Sequence, residues 1–278
     1  MQIRAHRRLG QLIQYSVPAV FFRGMKHLIS FILKTVPRPV LQRVSHYAMK
    51  VMMVFYRGDN VECTVCSKHF REFMPYGRNV PRPNALCPNC LALERHRLMN
   101  LYLQRKTNFY RDPLKVLHVA PEHCFIDRFE KLPNLDYITA DIESPLAKIK
   151  MDIHQIPFPD NTFDVAFCNH VMEHVEDDAK ASSELYRVLK PGGWAIIQSP
   201  IDYTRETTFE DATITDPKER ERLFWQSDHV RLFGRDYAQR LAKGGFTVVE
   251  DRFVFELPKE EVKRFSLPAG EVIYLCKK

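Results

Sequence analysis

Two pairs of cysteines, Cys63-Thr-Val-Cys66 and Cys87-Pro-Asn-Cys90, are separated by 20 residues. Each two-residue spacing lets both sulfurs of one tight turn reach a single ion, and two such turns close a tetrahedral thiolate site of the kind that suits zinc. With all four positions filled by sulfur, none stays open for a catalytic water, so the metal is expected to be structural and His69 a neighbour rather than a ligand. Three further cysteines, Cys124, Cys168 and Cys276, stand singly in or beside strand-like runs. An odd total of seven in this layout favours a reducing, cytoplasmic compartment over a disulfide framework. Histidines form the second group able to do chemistry. His170 and His174 flank Glu173, and His229 lies in Ser227-Asp228-His229-Val230-Arg231, after a long insertion over 201–226. His170 or His229 is expected as a general base, and Glu173 with His174 is a weaker candidate pair for a divalent metal.

These residues need a scaffold, and the pattern from Leu114 onward supplies one. Strands are expected at 115–120, 136–142, around Met151, and at 163–169 and 194–198, with helices at 127–132, 178–189 and 235–243. Two late strands follow at 246–255 and 271–276. Such alternation implies a parallel sheet covered by helices on both faces, with ligands at the carboxyl ends of the strands. A helix over 91–103 carries Arg95, His96 and Arg97, which either touch nucleic acid or cover the face that docks the cysteine module on the sheet. The expected domains are a helical arm at 1–58, a zinc ribbon with its docking helix at 59–110, and an α/β domain at 111–278 with a lid at about 201–233.

The composition, 45% hydrophobic and 27% charged over 278 residues, describes a core-forming chain and excludes a disordered or disulfide-stapled one. Its net charge of +7 belongs to one end: residues 1–58 hold ten Lys and Arg and no acid, and the rest holds 31 basic against 34 acidic residues. Val40, Leu41, Val44, Tyr47, Ala48, Val51, Met52 and Phe55 give that arm an amphipathic helical period. No stretch reaches the roughly 18 apolar residues of a membrane span. Three readings of the arm stand: it lies on an anionic membrane surface, it packs on the main domain, or it is an Arg-rich transit peptide.

The run Ile156-Pro157-Phe158-Pro159-Asp160-Asn161-Thr162-Phe163-Asp164, then Asn169-His170-Val171-Met172-Glu173-His174, then Leu185-Tyr186-Arg187-Val188-Leu189-Lys190-Pro191-Gly192-Gly193, resembles the class I S-adenosylmethionine-dependent methyltransferases of the type 11 group. Asn84-Ala85-Leu86-Cys87-Pro88, Leu93-Glu94-Arg95-His96-Arg97 and Leu117-His118-Val119-Ala120-Pro121-Glu122 are similar to a zinc-containing subgroup of these proteins. The resemblance implies a Rossmann-like seven-stranded sheet with a terminal antiparallel strand, and S-adenosylmethionine as cofactor. It further implies that Asp141, with Ile142 beside it, receives the ribose hydroxyls, that Asp152 and Ile153 adjoin the adenine, and that Asn169 and His170 adjoin the methionine part.

In the first motif, Ala120-Pro121-Glu122-His123-Cys124 stands where the family has a glycine-rich turn. Glycines there let the backbone approach the ligand, so Ala120, Pro121 and Glu122 leave two outcomes: Glu122 faces the positive charge of the cofactor, or the pocket is partly closed. Three functions follow. The first is methyl transfer to a lipid-linked or glycan-like acceptor at a membrane surface. The second is RNA methylation with the ribbon holding RNA, and the third is a noncatalytic binding protein.

Overall fold

In the computed structural model, residues 53–77 and 81–278 are described, and the arm expected at 1–58 lies outside them except for its last six residues. Residues 53–278 form one compact unit. Its first part is built from two small antiparallel ladders, β1 (Val61–Glu62) with β2 (His69–Phe70), and β3 (Met74–Tyr76) with β4 (Arg82–Leu86). One cysteine turn connects β1 to β2 and the other follows β4. Helix α1 (Glu94–Lys106) comes next. It begins three residues later than the sequence suggests, because Leu91 closes the second cysteine turn in the left-handed region, at φ 61°.

The larger part runs β5 (Leu114–Val119), α2 (His123–Phe129), β6 (Leu135–Asp141), β7 (Ile149–Lys150), β8 (Phe163–Asn169), α3 (Asp178–Val188) and β9 (Leu189–Gln198). An insertion follows, in which β10 (Phe209–Glu210) pairs with β11 (Arg231–Leu232) around α4 (Pro217–Phe224). The chain ends with α5 (Tyr237–Ala242), β12 (Thr247–Asp251), α6 (Phe253–Glu256), α7 (Lys259–Arg264) and β13 (Ile273–Lys277). Seven strands form one sheet in the order β12-β13-β9-β8-β5-β6-β7, and β13 alone runs antiparallel to its neighbours. The chain winds outward from β5 to β7, then crosses back to β8 on the other side of β5. That reversal opens the crevice in which sheets of this kind hold ligands.

The central strands explain themselves. Phe163, Val165, Ala166, Phe167 and Cys168 are all buried, as a parallel strand covered on both faces requires. One face packs a ring cluster of Phe109, Phe125, Phe129 and Phe167 that continues into the cysteine module through Leu98, Phe73 and Phe70, and the other packs Leu185, Tyr237 and Leu241. The late strand expected at 246–255 stops at Asp251. The aromatic residues after it favour a strand, but α6 instead sets Phe253 edge to face with Tyr102, centroids 5.5 Å apart, and the Tyr102 hydroxyl donates to Asp251 Oδ2. Tertiary packing outweighs local propensity there. Helix α2 lies four residues earlier than expected, and α4 and α7 were not anticipated.

Candidate active site and four-cysteine centre

The two cysteine turns are near copies of each other. The N–H of Ser67 donates to the Cys63 carbonyl at 2.8 Å, and the N–H of Leu91 donates to that of Cys87 at 3.0 Å. Ser67 and Leu91, each following the second cysteine of its pair, both take positive φ, 55° and 61°. The four sulfurs lie within 4.8 Å of one another, with Cys63 to Cys90 at 3.6 Å and Cys66 to Cys87 at 3.7 Å. A tetrahedron with metal–sulfur bonds of about 2.3 Å has sulfur–sulfur edges of about 3.8 Å, so the donor set has the dimensions of a tetrathiolate zinc site.

Arg97, expected either to touch nucleic acid or to dock the module, is fully buried in α1. Its guanidinium donates to the carbonyls of Asn84, Ala85 and Ala92 in the module and to those of Phe265 and Ser266 near the C-terminus, and it stacks 4.0 Å from the Phe73 ring. No carboxylate among the described residues pairs with it. Burial lowers its pKa, and the sulfurs of Cys63, Cys87 and Cys90 with the Glu94 carboxylate oppose that. Thr64 and Asn100 add hydrogen bonds between the first turn and α1, both at 2.7 Å.

Helix α1 runs across the carboxyl ends of β5 and β8, and a dense polar network forms where they meet. Glu122, in the turn after β5, accepts from His118 Nε2 at 2.6 Å and from Asn169 Nδ2 at 3.0 Å, and His96 Nε2 lies 3.8 Å away. Burial alone would raise the Glu122 carboxyl, but His118 and His96 outweigh it and hold it at about 2, so Glu122 is an anion. Ala120, where the family has glycine, adopts φ 49°, so this turn keeps the left-handed backbone that glycine serves, with a methyl group added.

Among the described residues, four buried side-chain atoms have no hydrogen-bond partner: Arg95 Nε, His96 Nε2, Asn169 Oδ1 and His170 Nε2. All four residues border one small cavity of about 20 Å³ beside Glu122 and Met99. Orphaned buried polar atoms are uncommon, and their convergence on one spot marks a place for an ordered water or a polar group of a ligand. Met99 fills much of that spot, with its Sδ 3.4 Å from Asn169 Nδ2. Arg95, His170 and Glu271 also border a wide cleft of about 1140 Å³ between the cysteine module, the C-terminal segment and the insertion. Tyr203 and Trp225, 45% and 53% exposed, line its insertion side.

His170 therefore sits between cavity and cleft. Its Nδ1 lies 3.3 Å from Glu173 Oε1, whose other oxygen accepts from Ser199 Oγ at 2.8 Å. Burial would raise the Glu173 carboxyl, but the His170 and Ser199 hydrogen bonds hold it below the usual range. An imidazole whose one nitrogen faces a buried carboxylate and whose other is unpartnered has the arrangement of an oriented general base. His229 does not join it. It borders neither cavity, and its Nδ1 donates to the Phe224 carbonyl at 2.7 Å.

Asp141 ends β6, and its Oδ1 accepts from the N–H groups of Glu143 and Ser144 at 2.7 and 2.6 Å. This fixes the carboxylate and leaves Oδ2 for a donor such as a ribose hydroxyl. Ile142 beside it is 56% exposed, an unusual position for so apolar a side chain. Asp152 is exposed and holds His154 through its N–H and Nδ1, while Ile153 points into the core. Asp141, Ile142, Asp152 and Ile153 lie outside the two cavities just described. Glu122 supplies an anion, Asp141 a fixed carboxylate with one oxygen free, and the cavity of about 20 Å³ a set of unpartnered polar atoms, all beyond the carboxyl ends of β5, β6 and β8. Arg95 and His96 were not foreseen in this role, because nothing in their spacing distinguishes a helix face that docks from one that also lines a pocket.

Residues 117–197 match a family described as a methyltransferase domain. Over 42 residues, 15% of either chain, the sequence is 50% identical to an uncharacterized methyltransferase of Schizosaccharomyces pombe. Over 64 residues it is 38% identical to a ubiquinone/menaquinone biosynthesis C-methyltransferase of Enterobacter sp., covering 23% of this chain and 21% of that one. The chain thus spans about a fifth or less of the length of these curated relatives. A crystal structure of a SAM-dependent methyltransferase from Archaeoglobus fulgidus aligns over 65% of this chain and 93% of its own, at 14% identity and a TM-score of 0.41. The similarity to a methyltransferase domain thus lies on residues 117–197, the stretch that runs from within β5 to within β9 of the sheet.

Proposed function

We propose that the chain transfers a methyl group from S-adenosylmethionine to an acceptor held in the cleft beside His170. The convergence of Arg95, His96, Asn169 and His170, each with an unpartnered buried atom, on the carboxyl ends of β5 and β8 carries this reading. The cofactor supplies an activated methyl group, and the protein's work is alignment and proton removal. Asp141 Oδ2 takes the ribose hydroxyls. Arg95 and Asn169 hold the methionine end, and Glu122 offsets the positive charge. His170 Nε2 takes the proton of an acceptor hydroxyl while Glu173 stabilises the resulting imidazolium.

Tyr203 and Trp225 offer flat apolar surface to an acceptor, and Arg71, Lys259 and Lys263 border the same cleft. These features support an anionic lipid-linked or glycan-like acceptor, brought near by the basic arm at a membrane surface. No helix among the described residues is long and apolar enough to cross a membrane. The four-cysteine centre is proposed to hold a structural zinc ion, on the strength of its sulfur spacing.

One observation favours a second reading, a noncatalytic binding protein: Met99 and the His118–Glu122–Asn169 contacts leave only about 20 Å³ where the methionine part would lie. Calorimetric titration of the metal-replete protein with S-adenosylmethionine and with its demethylated product separates the two. Methyl transfer requires micromolar binding of both that Asp141→Ala weakens at least tenfold. A well-folded wild type that binds neither supports the noncatalytic reading.

A further inference from the structure

The loop after β8 and the loop before β11 are locked together more firmly than a lid requires. Arg231, 4% exposed, donates from Nη1 to the carbonyls of Met172 and Val175, at 2.9 and 2.5 Å, and from Nη2 to that of Glu176 at 2.8 Å. The N–H of Val230 donates to the Glu173 carbonyl at 3.0 Å. This grip fixes the backbone that carries Glu173 and His174 against the backbone that carries His229. One ligand-type atom from each of these three residues lies within 4.8 Å of the other two. The two imidazole rings are nearly perpendicular, 86° apart with centroids 4.7 Å from each other.

The second contacts of both histidines suit a ligand role. His229 Nδ1 gives its proton to the Phe224 carbonyl, so in the neutral ring Nε2 carries the lone pair. His174 Nδ1 lies 3.4 Å from Asp228 Oδ2, the carboxylate–histidine arrangement that orients imidazoles toward a metal. Glu173 is buried, its carboxylate held between Ser199 and His170. Two imidazoles and one carboxylate form a donor set for borderline divalent ions such as zinc, cobalt or iron, with coordination positions left over.

We infer that Glu173, His174 and His229 form a second, thiolate-free binding site for a divalent transition metal ion. The inference does not depend on the methyl-transfer reading. Closing the site needs side-chain movements of about 1 Å, which the partly exposed His174 ring permits. Because Glu173 also faces His170, ion binding draws its carboxylate from that imidazole and couples the site to the edge of the cleft.

Cobalt reports the ligand type directly, because thiolate ligation adds intense near-ultraviolet charge-transfer bands that nitrogen and oxygen ligation lacks. The full-length protein is loaded with Co²⁺ or Zn²⁺, passed through a desalting column, and assayed for metal per chain and for its absorption spectrum. The expected result is a thiolate-free equivalent, present in addition to any thiolate-bound one, that is lost in both His174→Gln and His229→Gln. Should His229→Gln fail to fold, His174→Gln decides alone, since that ring is partly exposed and makes no bond to a buried backbone group. Wild-type protein with no thiolate-free equivalent, or one that both variants retain, overturns the inference.

Discussion

At the scale of single residues, the buried titratable groups under α1 make a definite statement about acid stability. Burial lowers the His96 imidazole from 6.5 to about 3 in the folded protein. The Glu122 carboxyl, raised by burial but lowered further by His118 and His96, falls from 4.5 to about 2. As pH falls below 6.5 the unfolded chain takes up a proton at position 96 that the fold refuses, and below 4.5 the same holds at position 122. Both groups therefore contribute stability at neutral pH that is lost on acidification. His96 loses its share between pH 6.5 and about 3, and Glu122 between 4.5 and about 2. Urea unfolding of His96→Gln should show a fall in stability between neutral pH and pH about 4 that is smaller than in the wild type by about 2 to 3 kcal/mol. An unchanged fall would assign the acid sensitivity to other groups. The place of Asp141 at a strand end was legible from sequence because a strand followed by a turn is a local feature. The orphaned atoms of Arg95 and His96 were not, because their exposure to a cavity depends on where α1 lands on the sheet.

Besides the shared core, elements are joined here by close approaches and buried arginines. Gly244 stands just beyond helix α5, and a Cβ added there would lie 2.3 Å from Ser182 Oγ and 2.7 Å from the Ser182 backbone carbon of α3. Ser182 is itself buried and donates to the Leu241 carbonyl at 3.0 Å, so it cannot swing aside cheaply. Gly244→Ala should cost about 1 to 3 kcal/mol, read by urea or thermal unfolding. A neutral substitution would mean that α5 shifts freely on α3. This close approach was not legible in the sequence, because positions 182 and 244 lie far apart in the chain. Arg97 shows the same division: its place on a helix could be read, but the five carbonyls it joins come from segments far apart in the chain.

For the whole molecule, the cysteine module and the α/β part share one hydrophobic core that runs from Cys63 and Phe70 through Leu98 and Phe125 to Phe167 and Ile196. They should therefore melt as one cooperative unit. Cys87→Ser, or chelation before heating, is expected to remove on the order of 5 kcal/mol and shift a single calorimetric transition downward. Two separate transitions, with the later one unmoved, would show that the module folds independently. The fold class followed from alternating strand and helix patterns, and the similarity to a methyltransferase domain over residues 117–197 from an ordered run of turn and strand residues, both of which are encoded within short windows of sequence. Paired cysteines, a strand-end acid and a glycine-poor first turn were determined in the same way, because neighbours in sequence are neighbours in space wherever a turn or strand is formed. Only tertiary structure decided that Arg97 bolts the module to the C-terminal segment, that four polar atoms converge unpartnered beneath α1, and that His229 leaves the cleft to meet Glu173 and His174. Those contacts join residues that the chain keeps far apart, and their geometry is set by packing a shared core, which no spacing in the sequence records.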